Sequence, residues 1–180
     1  MKTLYIKIFI IPVTILLLTG CRKKTVINNN QAILFEVEYV NNSHGNQHNG
    51  VLIDKEGNVM LYNNPETWSF PDKEYKLSSV QGSSNLANCV NSGKRITQEE
   101  LISYARFIKN ISASKVTALK HEEVDTGSLK YICYLFDEKS GMYKGSLIKM
   151  EGAASCENLN FYSRKVAGWL KNIYKTSEKK

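Results

Sequence analysis

Val51-Leu52-Ile53-Asp54-Lys55-Glu56-Gly57-Asn58-Val59-Met60-Leu61-Tyr62 decides how this chain folds. Two short runs of β-branched, aliphatic and aromatic residues flank a polar stretch, and such runs favour a pleated, half-buried surface. Gly57 supplies the left-handed backbone that a tight turn requires. The stretch is therefore a β-hairpin. The pattern recurs further on, where Tyr131 to Phe136 and Met142 to Met150 flank Asp137-Glu138-Lys139-Ser140-Gly141. That predicts a second hairpin.

Working outward, Gln31 to Val40 is a β-rich run. Leu34, Glu36 and Glu38 alternate with Phe35, Val37 and Tyr39, which predicts a strand with one wet face. Asn41 to Gly50 is polar and turn-rich and reads as a loop. Asn63 to Leu77, with Pro65 and Pro71, reads as irregular, and Lys115 to His121 as a further strand.

Helix signals lie between these runs. Ser78 to Asn88 can form a short helix. Thr97 and Glu100 have the spacing of a capping box, with Ile96 and Leu101 at the positions of a hydrophobic staple. That helix should end near Asn110 or Ile111. Leu159, Tyr162, Val166, Trp169, Leu170 and Ile173 recur at helical spacing, with Asn158 as a cap, and predict an amphipathic C-terminal helix. The expected class is α+β: an antiparallel sheet of two hairpins plus additional strands, packed by two main helices. Trp68 and Trp169 are expected in the core or at its rim.

The N-terminus has another character. Lys2 and Lys7 form a positive region, and Ile8 to Leu18 is an apolar run of 11 residues. This suits a signal-peptide core, whereas a membrane span needs about 20 such residues. Leu18-Thr19-Gly20-Cys21 resembles a lipobox. The resemblance implies removal of residues 1–20 and acylation of Cys21, whose thiol is nucleophilic enough to take a diacylglycerol. Two or more acyl chains hold a protein stably on a membrane. Residues 21–30, with Arg22-Lys23-Lys24, read as a polar tether. Residues 31–176 then form a single α+β domain, and 177–180 a frayed tail. No Asp follows Cys21, and in resembling systems that leans towards the outer membrane facing the periplasm.

The chain carries a formal net charge of +7, and loss of Lys2 and Lys7 lowers it to +5. The excess is spread along the chain. A nucleic-acid binder shows a concentrated basic stripe, so nucleic acid is not an expected partner. The expected contacts are the membrane, through Cys21, and an envelope protein. Besides Cys21 there are Cys89, Cys133 and Cys156. Cys133 lies mid-strand and reads as a small buried hydrophobe. Cys89 and Cys156 fall in polar, loop-like stretches, so Cys89–Cys156 is the expected disulfide, with other pairings or none left open.

There is no P-loop, GxGxxG, GxSxG, SxxK or HExxH. His44, His48 and His121 could supply imidazoles to a metal, yet a polar loop and an exposed turn account for them more simply. Asp54, Glu56, Asp137 and Glu138 sit at hairpin turns, where such residues ordinarily bond the backbone. Trp68 and Phe70 could stack on a sugar or grip a partner, or pin a long loop to the core. No catalytic residue, metal-ligand set or cofactor is expected.

Gly50 to Tyr62 fits a pattern xGxxIDxxGxVxxY, and Asp125-Thr126-Gly127 through Tyr131, Cys133, Tyr134 and Asp137 fits DxGxxxYxCYxxD. An Asn-rich cap and a Trp169-Leu170 helix follow. The whole resembles small uncharacterised lipoproteins of Bacteroidota-type bacteria, a resemblance that implies no activity. The leading expectation is a non-enzymatic, envelope-anchored binding or interaction domain. The alternative is a hydrolase or metal-handling enzyme whose site is assembled only in three dimensions. A cleft with converging His, Glu or Asp side chains would favour the second, and an exposed apolar patch without a pocket the first.

Overall fold

The computed structural model describes residues 26–43, 45–122 and 126–177. Residues 1–20, expected to be a signal peptide, and Cys21, His44 and Asp125 lie outside the described residues. Along the chain come β1 (Ile33–Asn41), β2 (Gln47–Asp54), β3 (Asn58–Asn63), β4 (Lys76–Ser78), α1 (Ser79–Ala87), β5 (Val90–Arg95), α2 (Gln98–Ala105) and α3 (Ile108–Ser112). Then follow β6 (Lys120–His121), β7 (Ser128–Asp137), β8 (Met142–Gly152), β9 (Ala154–Glu157) and α4 (Ser163–Ser177). The strands form one sheet in the order β5-β3-β2-β1-β7-β8-β9-β6, with β4 also on β8. Every pairing between these strands is antiparallel. The architecture is α+β, as the sequence predicts.

Both hairpins form where the turn residues place them. Gly57 and Gly141 have φ of +85° and +66°, a region in which a side chain would strain the backbone. Asp54 accepts from the Asn58 amide at 2.7 Å and from its side chain at 2.8 Å. Asp137 accepts from the Ser140 hydroxyl at 2.8 Å. These turn carboxylates bond their own turns.

The sheet has two covered faces. Val51, Ile53, Val37, Tyr131 and Cys133 pack beneath α2, α3 and α4 with Leu101, Ile111, Val166, Trp169 and Leu170. Full burial of a side chain such as Leu170 contributes about 2–3 kcal/mol. On the other face Leu52, Tyr62, Ile132, Tyr134 and Tyr143 pack with Leu77, Leu86 and Trp68, beneath α1 and the segment before β4.

Thr97 caps α2 by accepting from the Glu100 amide at 3.2 Å. The Glu100 carboxylate does not complete the box; it accepts from the Trp169 indole at 2.8 Å and so ties α2 to α4. The box with both halves made is at α1, between Ser78 and Gln81.

Several expectations are corrected. The predicted strand over 115–121 reduces to Lys120–His121. Leu159 is exposed, because α4 starts only at Ser163. Asn158 is buried before that helix, donating to Ile111 O and Leu147 O and accepting from Ser163. Ile27, in the stretch expected to be a polar tether, packs on the first core, and Ser177, expected in the frayed tail, is a buried helical residue. The decisive correction concerns β1. A bulge between Ile33 and Phe35 puts both Leu34 and Phe35 into the first core. Glu36 and Glu38 point to the opposite face, which is covered rather than wet; they are 4% and 7% exposed.

Candidate functional site

Burying two carboxylates is costly unless each is bonded. The strands beside β1 supply the partners. Glu36 Oε1 accepts from the Tyr62 hydroxyl of β3 at 2.8 Å. Its Oε2 accepts from the Tyr134 hydroxyl of β7. Tyr62 lies two strands away from Glu36 and reaches it across Gly50, its register partner on β2. A glycine there leaves the space over which the phenol passes.

Glu38 is bonded differently. Its Oε2 accepts from Lys130 Nζ at 2.8 Å, and His48 Nε2 lies 3.1 Å from its Oε1. Burial pushes Glu38 up, but the His48 hydrogen bond and the Lys130 charge outweigh it and hold the carboxyl below the ordinary range. An ionised carboxylate only accepts, so His48 Nε2 carries the hydrogen. Glu36 goes the other way. Burial, and then the like charge of Glu38, raise it to about 7 against the Tyr134 and Tyr62 hydrogen bonds. Two carboxyls two residues apart on one strand thus differ in ionisation near neutral pH. That is the condition for one to hold a proton while the other carries charge.

The segment from Asn64 to Tyr75 forms a strap over this polar cluster. Asn64 fastens its start: its amide donates to His48 O at 2.7 Å and its Oδ1 accepts from the His48 amide at 2.7 Å. Asn85 of α1 holds the middle, accepting from the Ser69 amide and donating to Ser69 O, each at 2.8 Å. At the far end Asp72 Oδ1 accepts from the amides of Glu74 and Lys76, and Tyr75 O accepts from the Gly145 amide on β8. The strap's aromatics then close on the sheet. Trp68 lies 4.3 Å from the Tyr62 ring centre, and His48 sits 5.3 Å from Trp68 and 5.1 Å from Phe70.

Between strap and sheet lies a cavity of about 470 Å³. Glu36, Glu38, Lys130 and Tyr134 line it, with Val40, Ile132, Leu147 and Met150 from the sheet and Trp68, Phe70 and Tyr75 from the strap. An apolar enclosure of this size with a few converging polar groups is the usual form of a small-molecule site.

Of the residues singled out from the sequence, the structure brings His48, Trp68 and Phe70 together. His48 is on a strand, not in the expected loop, because β2 begins at Gln47. His121 is on β6, separated from β2 by β1, β7, β8 and β9. Among the described residues no three His, Cys, Asp or Glu are grouped as a metal would need. Sequence reading missed Glu36, Glu38, Tyr62, Lys130 and Tyr134. The available signal was Gly50 directly before the apolar Val51–Ile53 run, since a glycine beside a strand can mark a close approach by another group.

Cys89, Cys133 and Cys156 are free thiols, so the expected Cys89–Cys156 bridge is not formed in this structure. Cys89 immediately precedes β5, at one end of the strand order, and Cys156 is on β9, near the other end. The Cys89 thiol donates to Asn85 O at 3.2 Å. Burial pushes Cys89 and Cys133 up to about 12, which leaves little thiolate for nucleophilic chemistry.

No family model matches the chain, and no curated protein or solved structure is significantly similar to it.

Proposed function

We propose that the protein is a small-molecule-binding domain of the cell envelope, tethered through lipidated Cys21 to the outer membrane and facing the periplasm. The observation that carries the binding part is the cavity beneath the 64–75 strap, with apolar walls and a floor of buried Glu36, Glu38 and Tyr134 beside half-buried Lys130. Apolar walls with a few converging polar groups are what a small-molecule site requires. The tether part rests on the lipobox alone. Cells grown with an alkyne analogue of palmitate should label the wild-type protein and leave Cys21→Ser unlabelled. Equal labelling of both would remove the anchor from the proposal.

The binding part is tested by saturation-transfer NMR with a library of small aromatic compounds. The sample is the full-length protein in phosphatidylcholine nanodiscs, with empty discs as the control. Hits should be mutually competitive and should vanish in Val40→Trp, which fills the cavity from its β1 wall. A library without hits, or hits indifferent to Val40→Trp, contradicts the proposal.

Acid–base catalysis on the bound molecule is the second reading. It is favoured by the unequal ionisation of Glu36 and Glu38. Under that reading a hit is converted: new resonances grow with time in the same tube, and Glu36→Gln stops their growth. Static spectra from every hit would leave binding alone.

A further inference from the structure

The cavity floor is unevenly neutralised. Glu38 meets two basic side chains, Lys130 and His48. Glu36 meets none: among the described residues its hydrogen bonds come from two phenols, and it takes part in no ion pair. Lys130, the basic group on the floor, is already bonded to Glu38, whereas Lys73 stands exposed on the strap. Asp72, also at the rim, spends one oxygen on its own turn.

Once its proton is released, the Glu36 carboxylate offers about four lone-pair sites. The two phenol hydroxyls occupy two at Glu36, so the group keeps capacity for a further donor from the cavity. The walls suit the same partner. Aromatic faces attract cations that come within about 6 Å of the ring centre, and Trp68, Phe70, Tyr75 and Tyr134 all line this space.

We infer that the molecule bound here is an organic cation, an ammonium group carried on an aromatic or aliphatic body, with the ammonium on Glu36 and the body against Trp68 and Phe70. The inference rests on the cavity being a binding site, and it names what that site selects. A cation supplies the counter-charge that Glu36 lacks. A carboxylate or phosphate would instead meet two buried carboxyls on the floor, where Lys130 is already engaged, with Lys73 facing it only from the exposed rim. A neutral molecule of the same shape would gain the walls and leave Glu36 as it is.

Calorimetric titration of the full-length protein in phosphatidylcholine nanodiscs, corrected for empty discs, separates these cases with three probes of one size. Phenethylamine should bind at least tenfold more tightly than 2-phenylethanol, and phenylacetate should bind most weakly. Glu36→Gln keeps the side-chain shape and a hydrogen-bonding amide between the two tyrosines. It should erase the preference for the amine while the alcohol binds as before. The inference is overturned if the alcohol or the carboxylate equals the amine, or if Glu36→Gln retains the preference. Binding of the alcohol without preference for the amine refutes the cation and leaves the binding site standing. Failure of all three probes, together with an aromatic library that yields no hits, refutes both.

Discussion

Gly50→Ala should cost this protein a large part of its stability. A Cβ at this position would stand 2.0 Å from the Val37 carbonyl oxygen and 2.6 Å from the Tyr62 hydroxyl oxygen. The first neighbour is backbone and cannot rotate away, so β1 and β2 would have to separate at the point where Tyr62 crosses to Glu36. Overpacking in a core typically costs about 1–3 kcal/mol, and a clash with backbone belongs at or above the top of that range. Displacement of Tyr62 would also leave a buried carboxyl oxygen without its donor, which adds on the order of 1–3 kcal/mol. Against a total stability of about 5–15 kcal/mol, the expected outcome is a urea midpoint lowered by a third or more. Gly168→Ala is the matched control. Its added Cβ meets nothing within 4 Å, and it lies inside α4. It should leave the midpoint unchanged or raise it, since alanine is favoured over glycine in a helix interior by roughly 1 kcal/mol. A wild-type midpoint for Gly50→Ala would mean that the strands are not this close and that Tyr62 does not take this path.

Glu36→Gln should stabilise the protein at alkaline pH and not at acid pH. Folding raises the Glu36 pKa from the ordinary 4.5 to about 7. Between those values the folded protein holds a proton that the unfolded chain has released, so stability falls as pH rises through this window. The full loss above pH 7 is on the order of 3–4 kcal/mol, at about 1.4 kcal/mol per unit. Glu38 contributes with the opposite sign. Its pKa is lowered, so its contribution is present above the unfolded value and lost as pH falls through the folded one. The difference between wild type and Glu36→Gln isolates the first effect. Urea unfolding of both proteins should give similar midpoints near pH 4.5 and a higher midpoint for the variant at pH 8. Equal destabilisation of the variant at both pH values would show that Glu36 is ionised and well supported in the fold.

The surroundings of Glu36 and Gly50 are the least legible part of the sequence. The hairpins were legible because Gly57 and Gly141 announce turns whose backbone few other residues accept. Thr97 was legible because a cap is a local bond between neighbours. Residues 31–40 misled because alternation specifies two faces without saying what lies over each. Glu36 and Glu38 beside aliphatic residues normally mean a solvated face. Here the cover comes from a strap and a helix that follow 25 or more positions later, and no local pattern reports it. The bulge at Ile33 to Phe35 is equally silent, since two adjacent apolar residues fit either register. His48 reads as a loop residue because Asn41 to Gly50 is polar throughout. It is on a strand because its partners, Glu38 and the strap aromatics, give a polar residue somewhere to go. Glu100 shows the same limit at a helix start, where a distant Trp169 competes with the local box for one carboxylate.

Small molecules that bind this protein should enter the cavity under the strap. The chain's two tryptophans report on it separately. Trp68 lines the cavity, whereas Trp169 lies in the core on the other face of the sheet, 5.2 Å from the Phe35 ring centre. Titration of the strongest library hit into ¹⁵N-labelled protein, followed at the two indole N–H resonances, tests it most directly. Saturable movement of the Trp68 resonance with Trp169 fixed is the predicted result. Movement of Trp169 alone, or of neither resonance while the hit still binds, would contradict it.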